Sequence, residues 1–292
     1  MKKVRKAVVP VAGFGTRFLP ASKAMPKEML PVVDKPVIQY VVEELVDAGI
    51  EQIIFVTSWH KRAIEDHFDR HPELEDRLER AEKLEQLKMV QDISNMAEFV
   101  YVRQKEANGN GDAILTAENV VGDEPFVVVW GDDIFTGTPS RTKQLLDAYE
   151  KYQSIVMSCI RTDKPEDTKR YGYIKGEEVE KGVVNVAALI EKPGPENVPS
   201  NLAAVGGYVF TPDIFQALRT CKRRKGRELV WVDGMNILKK EGKEAYGIEL
   251  TNNNYHDCGN VMEYLKTNVE LALTRPELNA EFTSFLKKIV NK

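Results

Sequence analysis

The 292-residue sequence predicts an α/β fold built on a mixed, mostly parallel central sheet flanked by helices. Three observations carry that prediction. Apolar runs at 7–11 and 50–57 lack polar alternation, as strands buried on both faces do. Stretches with helical spacing separate them, and strand–helix–strand–helix order requires parallel strands with right-handed crossovers. Glycine-bearing and acidic motifs follow the strands directly, which puts them on the carboxyl rim where open sheets bind ligands.

In chain order, the strand at 7–11 runs into Ala12-Gly13-Phe14-Gly15-Thr16-Arg17. Two glycines there let the backbone turn and leave N–H groups pointing outward. Residues 36–48 read as a helix with Pro36 near its start and Gly49 after its end. A strand at 50–57 and a helix at 61–68 follow. His60, His67 and His71 lie on or beside that helix, and a surface helix explains them better than a metal site. The charge-dense segment 72–95 predicts an inserted helical hairpin with Leu74, Leu78, Leu84 and Leu87 inward. A strand at 99–102 leads to a second glycine loop at 109–113, and 121–133 reads as a strand ending in Asp132 and Asp133. The second half predicts a helix at 142–152 and strands at 154–160, 171–174, 183–189 and 203–210. Next comes a helix capped by Thr211 with Pro212 first. Tyr255-His256-Asp257-Cys258-Gly259 precedes a closing pair of helices. The expectation is one continuous domain, residues 1–292, with halves at 1–135 and 136–292 and a helical insertion at 72–97.

Composition narrows the function classes. A net charge of −4 gives no bulk attraction to nucleic acid or an anionic membrane. The cluster Lys222-Arg223-Arg224-Lys225 reads as a solvated turn. Three scattered cysteines without C-x-x-C indicate neither a disulfide framework nor a zinc site, and Cys159 reads as core. No apolar run approaches the ~18 residues of a membrane span, and the N-terminus starts directly with a strand. The expected setting is cytoplasmic and reduced.

Arg17, Lys23 and Lys27 stand close behind the first glycine loop, a combination suited to a polyphosphate. The loop matches neither G-x-G-x-x-G nor a Walker motif. The longer stretch G-x-G-T-R-x-x-P followed by K-x-x-P-K-E-M-L-P-V-x-D-K-P resembles the signature of bacterial sugar-1-phosphate nucleotidyltransferases, and K-R-A-I-E-D-H-F-D continues it. The resemblance implies a Rossmann-like fold of the nucleotide-diphospho-sugar transferase type, with a smaller sugar-binding lobe. It also implies nucleotidyl transfer, with glucose-1-phosphate and UTP as the leading substrates and Mg²⁺ as cofactor. On the matching positions, the backbone of Ala12, Gly13, Phe14, Gly15 and Thr16 with Arg17 and Lys27 would hold the triphosphate. Gln104 and Gly109 would read the base, and Asp132 and Asp257 would hold the metal. Glu191, Gly172 and Gly206 would meet the hexose, and Lys192 would sit on a phosphate. A homodimer or homotetramer, with no nucleic acid or membrane partner, is implied as well.

Several positions depart from the family pattern. Val11 adds bulk beside the base, and Asn110 and Asp112 alter the second glycine loop. Gly207 stands where an Arg is frequent, which reads as a lost cation on the sugar side. The segment 226–233 carries Val230 and Trp231 in place of the usual polar pattern. Another sugar-1-phosphate, dTTP or CTP therefore remains as an enzymatic alternative. A catalytically silent sugar-nucleotide-binding regulator is the alternative from a different class.

Overall fold

The computed structural model describes residues 2–221 and 228–291. The basic cluster at 222–225, with Gly226 and Arg227, lies outside the described residues. Strand β1 (Lys6–Pro10) is followed by three short 3-10 turns and a small antiparallel pair, β2 (Pro31–Val32) with β3 (Lys35–Pro36). Helix α1 (Val37–Asp47), β4 (Gln52–Thr57) and α2 (Arg62–Phe68) come next. The insertion is α3 (Pro72–Arg80) and α4 (Leu84–Ser94), and it returns to the sheet at β5 (Glu98–Arg103). Then follow α5 (Asn110–Thr116), α6 (Glu118–Val121), β6 (Phe126–Val128), β7 (Asp133–Gly137) and α7 (Arg141–Tyr152). The second half adds β8 (Ile155–Arg161), β9 (Gly172–Glu180), β10 (Val183–Glu191), β11 (Leu202–Phe210), α8 (Asp213–Thr220) and α9 (Trp231–Lys240). The described chain closes with β12 (Ala245–Glu249), β13 (Asn253–Asp257), α10 (Val261–Thr274) and α11 (Pro276–Val290).

Among the described residues the main sheet has the order β5-β4-β1-β6-β11-β8-β12-β10-β9. Pairing is parallel from β5 through β6 and again between β8 and β12. It is antiparallel wherever β9, β10 or β11 takes part. Side-chain alternation splits the core into two layers. Val8, Ile54, Val56 and Val128 face one layer, beneath α5, α8 and α9. Ala7, Val9, Ile53, Phe55 and Val127 face the other, beneath α1, α2 and α7. No described helix is long and apolar enough to cross a membrane.

Four local expectations change. The run 121–133 is not one strand: pairing stops at Val128, and the chain turns through Gly131 before Asp133 opens β7. Gly131 passes so close to β1 that a Cβ there would lie 2.6 Å from Val11 Cγ1, which explains the break. Helix α8 starts at Asp213 without a side-chain cap, because the Thr211 carbonyl and not its hydroxyl takes the Ile214 N–H at 3.1 Å. In the insertion, Leu74 and Leu84 are exposed. Its inward group is Glu75, held by Arg70 Nε at 3.0 Å and by Gln91 Nε2 at 3.1 Å across the hairpin. The Tyr255–Asp257 stretch, read only as a prelude to helices, is strand β13, paired antiparallel with β7.

Candidate active site

Because β1, β4 and β6 run parallel, their carboxyl ends open on one rim, and the first glycine loop leaves from there. Ala12 is buried, Gly13 is open on its Cβ side, and the Phe14 ring is exposed. Gly15 adopts φ 64° and starts the short turn Thr16–Phe18. That left-handed backbone suits glycine, and a Cβ there would press to 3.1 Å on Lys27 Cβ. Lys27 thus lies against the loop, and its ammonium is ion-paired with Asp132. Burial pushes the Lys27 pKa down, but Asp132 and Glu28 outweigh it and hold the group charged above its ordinary value. Arg17 reaches across to the Gly259 carbonyl at 3.5 Å.

The acidic side is assembled by the β7–β13 ribbon, whose register sets Asp133 opposite Asp257. Cys258 N–H donates to the Asp132 carbonyl at 2.9 Å and ties the two motifs together. A Cβ on Gly259 would lie 2.7 Å from Asp132 Oδ2 and 2.9 Å from Asp257 Oδ1, so both carboxylates converge on a cradle that only glycine leaves open. Two hard oxygen donors beside a polyphosphate loop fit a divalent cation whose remaining ligands are phosphate and water. Asp257 is steadied by Arg170, by Gly259 N–H at 2.8 Å and by Asn260 Nδ2 at 3.1 Å. Asp133 behaves differently. Burial, then Asp132 and Asp257, push its carboxyl well above the usual range, and the Tyr255 hydroxyl donates to it at 3.0 Å. His256 turns away to Thr136 at 3.0 Å and Glu270 at 3.2 Å, and Cys258 is buried, so the adjacent His, Asp and Cys do not share a ligand site.

A cleft of about 310 Å³ runs from Ala12, Gly13 and Lys27 past Asp132 to Gln104 and Gly109. Gln104 is buried, and its amide donates to the Gly109 carbonyl at 3.1 Å and to Asp112 Oδ2 at 2.9 Å. Asp112, flagged in the sequence as an anion near the nucleoside, therefore orients Gln104. Gly109 has φ 103°, and a Cβ would strike the Leu229 carbonyl at 2.3 Å. This crowding shows where the unusual 228–231 segment goes: Gly111 N–H donates to Leu229 O at 2.9 Å, and Trp231 N–H to Asn110 Oδ1 at 3.0 Å. Trp231 itself is buried against Tyr208 at 4.2 Å, and Val230 packs on the same core.

On the other side of the rim, β9 and β10 pair Gly172 with Glu191, and β9 also reaches β11. A Cβ on Gly172 would lie 3.1 Å from Glu191 Oε2, and one on Gly206 would strike Asp133 Oδ2 at 2.1 Å. Burial raises the Glu191 carboxyl, against the pull of Lys192, whose ammonium is 3.6 Å away. Lys192 holds φ 48°, a strained value for a non-glycine residue. Gly207 faces inward: a Cβ would lie 2.8 Å from both Arg141 Cδ and Ser158 Oγ. Its expected role as a missing cation on the sugar side is therefore corrected, because the position points at the Arg141 and Ser158 side chains in the core, at an irregularity of β11. Arg141 is fully buried there. It forks onto Glu44 at 3.1 and 2.7 Å, donates to the Gly206 carbonyl and lies over the Phe135 ring at 4.2 Å.

Several residues of this site were not singled out in the sequence. Glu28 lines the cleft and forms a buried ion pair with Lys61 at 2.7 Å. Arg170 and Arg141 were also missed, while Trp130 and Glu228 lay inside the stretches 121–133 and 226–233 without being given a role. A model of the nucleotidyl transferase family matches residues 6–273. A UTP–glucose-1-phosphate uridylyltransferase of Bacillus subtilis is 46% identical over 292 residues, covering 100% of this chain and 99% of that one. A UTP-bound UDP-glucose pyrophosphorylase of Acinetobacter baumannii superposes with a TM-score of 0.88 at 35% identity, over 97% of this chain and 98% of that one. A UDP-glucose pyrophosphorylase complexed with UDP-glucose gives a TM-score of 0.83 at 39% identity, over 93% and 100%. With glycine loop, paired carboxylates and match all running over one frame, the chain belongs to the nucleotidyl transferase family.

Proposed function

We propose that this protein is a UTP–glucose-1-phosphate uridylyltransferase, making UDP-glucose and pyrophosphate. The observation that carries this reading is the convergence of Lys27, Asp132 and Asp257 beside the Gly13–Gly15 loop, on a frame shared with relatives of that activity. An oxygen of the sugar phosphate attacks the α-phosphorus of UTP, and the bond to pyrophosphate breaks on the opposite side. A phosphate monoester has its second pKa near ~6, so the nucleophile is already ionised at neutral pH and no side-chain base is required. The protein's work is positioning and charge neutralisation.

The loop backbone from Ala12 to Thr16, with Arg17 and Lys27, holds the triphosphate. Gln104 uses its N–H groups internally, which leaves its carbonyl oxygen to accept from the base, beside the Gly109 backbone. Glu191 accepts from sugar hydroxyls, Gly172 and Gly206 admit the ring, and Lys192 takes a phosphate oxygen. Asp132 and Asp257 would hold Mg²⁺. When bound, that ion neutralises phosphate charge and fixes the phosphates in line.

Gly207 and Trp231 both face the core, so these two departures from the family pattern give no ground for another hexose. A homodimer or homotetramer is supported by the exposed apolar residues Met262, Leu265, Phe285 and Ile289 on α10 and α11. Pyrophosphate release across a panel of sugar-1-phosphates with UTP, dTTP, CTP and GTP tests the function. An optimum at UTP with glucose-1-phosphate is expected. An optimum elsewhere replaces the substrate, and binding of UDP-glucose without turnover would leave a regulator. Asp132→Ala should abolish Mg²⁺-dependent turnover while the fold persists.

A further inference from the structure

The turn after β4, Ser58-Trp59-His60, touches three consecutive residues of the first glycine loop, and the site as derived above gives it no part. Ser58, buried, donates from Oγ to the Ala12 carbonyl at 3.4 Å and lies 2.9 Å from His60 Nδ1. The His60 ring also lies beside the Gly13 backbone, with Nε2 buried and without a hydrogen-bond partner among the described residues. It stacks flat on Phe14, with centroids 4.9 Å apart and planes 1° from parallel. Trp59, 76% exposed, stands edge-on to the same imidazole at 5.4 Å.

The Ser58 hydroxyl thus bridges the Ala12 carbonyl and His60 Nδ1. Burial and the neighbouring Lys61 ammonium lower the imidazole pKa, against a smaller opposing pull from the Gly13 backbone, so the ring is neutral near pH 7. A neutral ring is a flat support. It bonds Ser58 on one edge and stacks on the tip of the loop with one face.

A glycine-rich loop needs such a support. Gly13 has no packing on its Cβ side, and a free loop of this composition loses much conformational entropy when it closes on phosphates. We infer that His60, set by Ser58 and stacked on Phe14, is a positioning residue that holds the 12–15 loop in its UTP-binding shape before the nucleotide arrives. This rests on the uridylyltransferase reading. The His60 contribution belongs to the nucleotide side alone, since none of its contacts reaches Gly172, Glu191 or Gly206.

The test measures UTP binding by calorimetry and by Trp59 emission, and then steady-state kinetics, on the wild type and three variants. His60→Ala should raise the KM for UTP about tenfold, the effect of losing one hydrogen bond and one ring contact. The KM for glucose-1-phosphate and kcat should stay within about twofold. His60→Phe keeps the stack without the bond and should fall between. Phe14→Ala, at an exposed position, should repeat the UTP-specific rise. If the wild type binds UTP and all three variants bind it equally well, His60 does not position the loop. Equal rises in both KM values would likewise overturn the assignment, by showing general loosening. A wild type that binds no UTP would sink the functional reading and take this inference with it.

Discussion

At the scale of single residues, the glycines separate into those that need their hydrogen and those that do not. A methyl at Gly206 would lie 2.1 Å from Asp133 Oδ2, whereas one at Gly13 meets nothing within 4 Å. Gly206→Ala should therefore cut turnover at least about a hundredfold, the scale of a misplacement near 1 Å. Gly13→Ala should leave a folded enzyme, and comparing kcat/KM of the two variants checks the contrast. The Lys61–Glu28 pair makes a second case. Burial raises the Glu28 carboxyl and lowers the Lys61 ammonium, yet each meets the other at 2.7 Å. Lys61→Met strands a buried acid, and urea unfolding should show a loss of about 3–5 kcal/mol. Motif residues were legible in the sequence because glycine loops and carboxylates bear chemistry in short windows. Glu28 and Lys61 were not, since an ion pair between positions 33 apart leaves no local pattern. In the sequence, Gly207 and Trp231 fall in the half that chooses the sugar, where a repacked interior explains them nearly as well. Only tertiary contact decides: Gly207 faces Arg141 and Ser158, and Trp231, opening α9, packs on Tyr208.

Among the elements, long apolar strands and amphipathic helices such as α1 and β4 were readable from periodicity. Short pieces made by tertiary contact were not. Neither α9 nor β12 was anticipated, and β13 pairs with β7 through polar residues such as Asn253 and Asn254 that carry no strand signal. The insertion was anticipated, with Leu78 and Leu87 half-buried as expected, but its most buried side chain is an acid. Glu75 is held down to about 2 by Arg70 and then Gln91, below its ordinary 4.5. A depressed carboxylate contributes stability above its unfolded value, and that contribution is lost as pH falls through the folded one. Wild type should therefore melt higher than Glu75→Gln at pH 6. The gap should close between pH 4.5 and about 2, read by scanning calorimetry of both proteins.

For the whole molecule, Arg141 of α7 joins Glu44 of α1, the Gly206 carbonyl of β11 and the Phe135 ring of β7. Arg141→Lys gives up the bidentate fork and should raise the KM for glucose-1-phosphate more than that for UTP, since Gly206 is the backbone it steadies. The apolar face of α10 and α11 predicts that Leu265→Glu together with Phe285→Glu lowers the mass seen by light scattering without unfolding the chain. The α/β class and the sheet's parallel half could be foreseen, whereas the antiparallel entry of β11 between β6 and β8 could not, because the pairing partners lie far apart in sequence. The ribbon of β7 and β13 also bears on the order of folding. It sets Asp133 against Asp257 although the two lie far apart in sequence. Closing so long a loop costs more entropy than the local turns of the glycine loop, so the acidic face is assembled by tertiary closure rather than by any local motif.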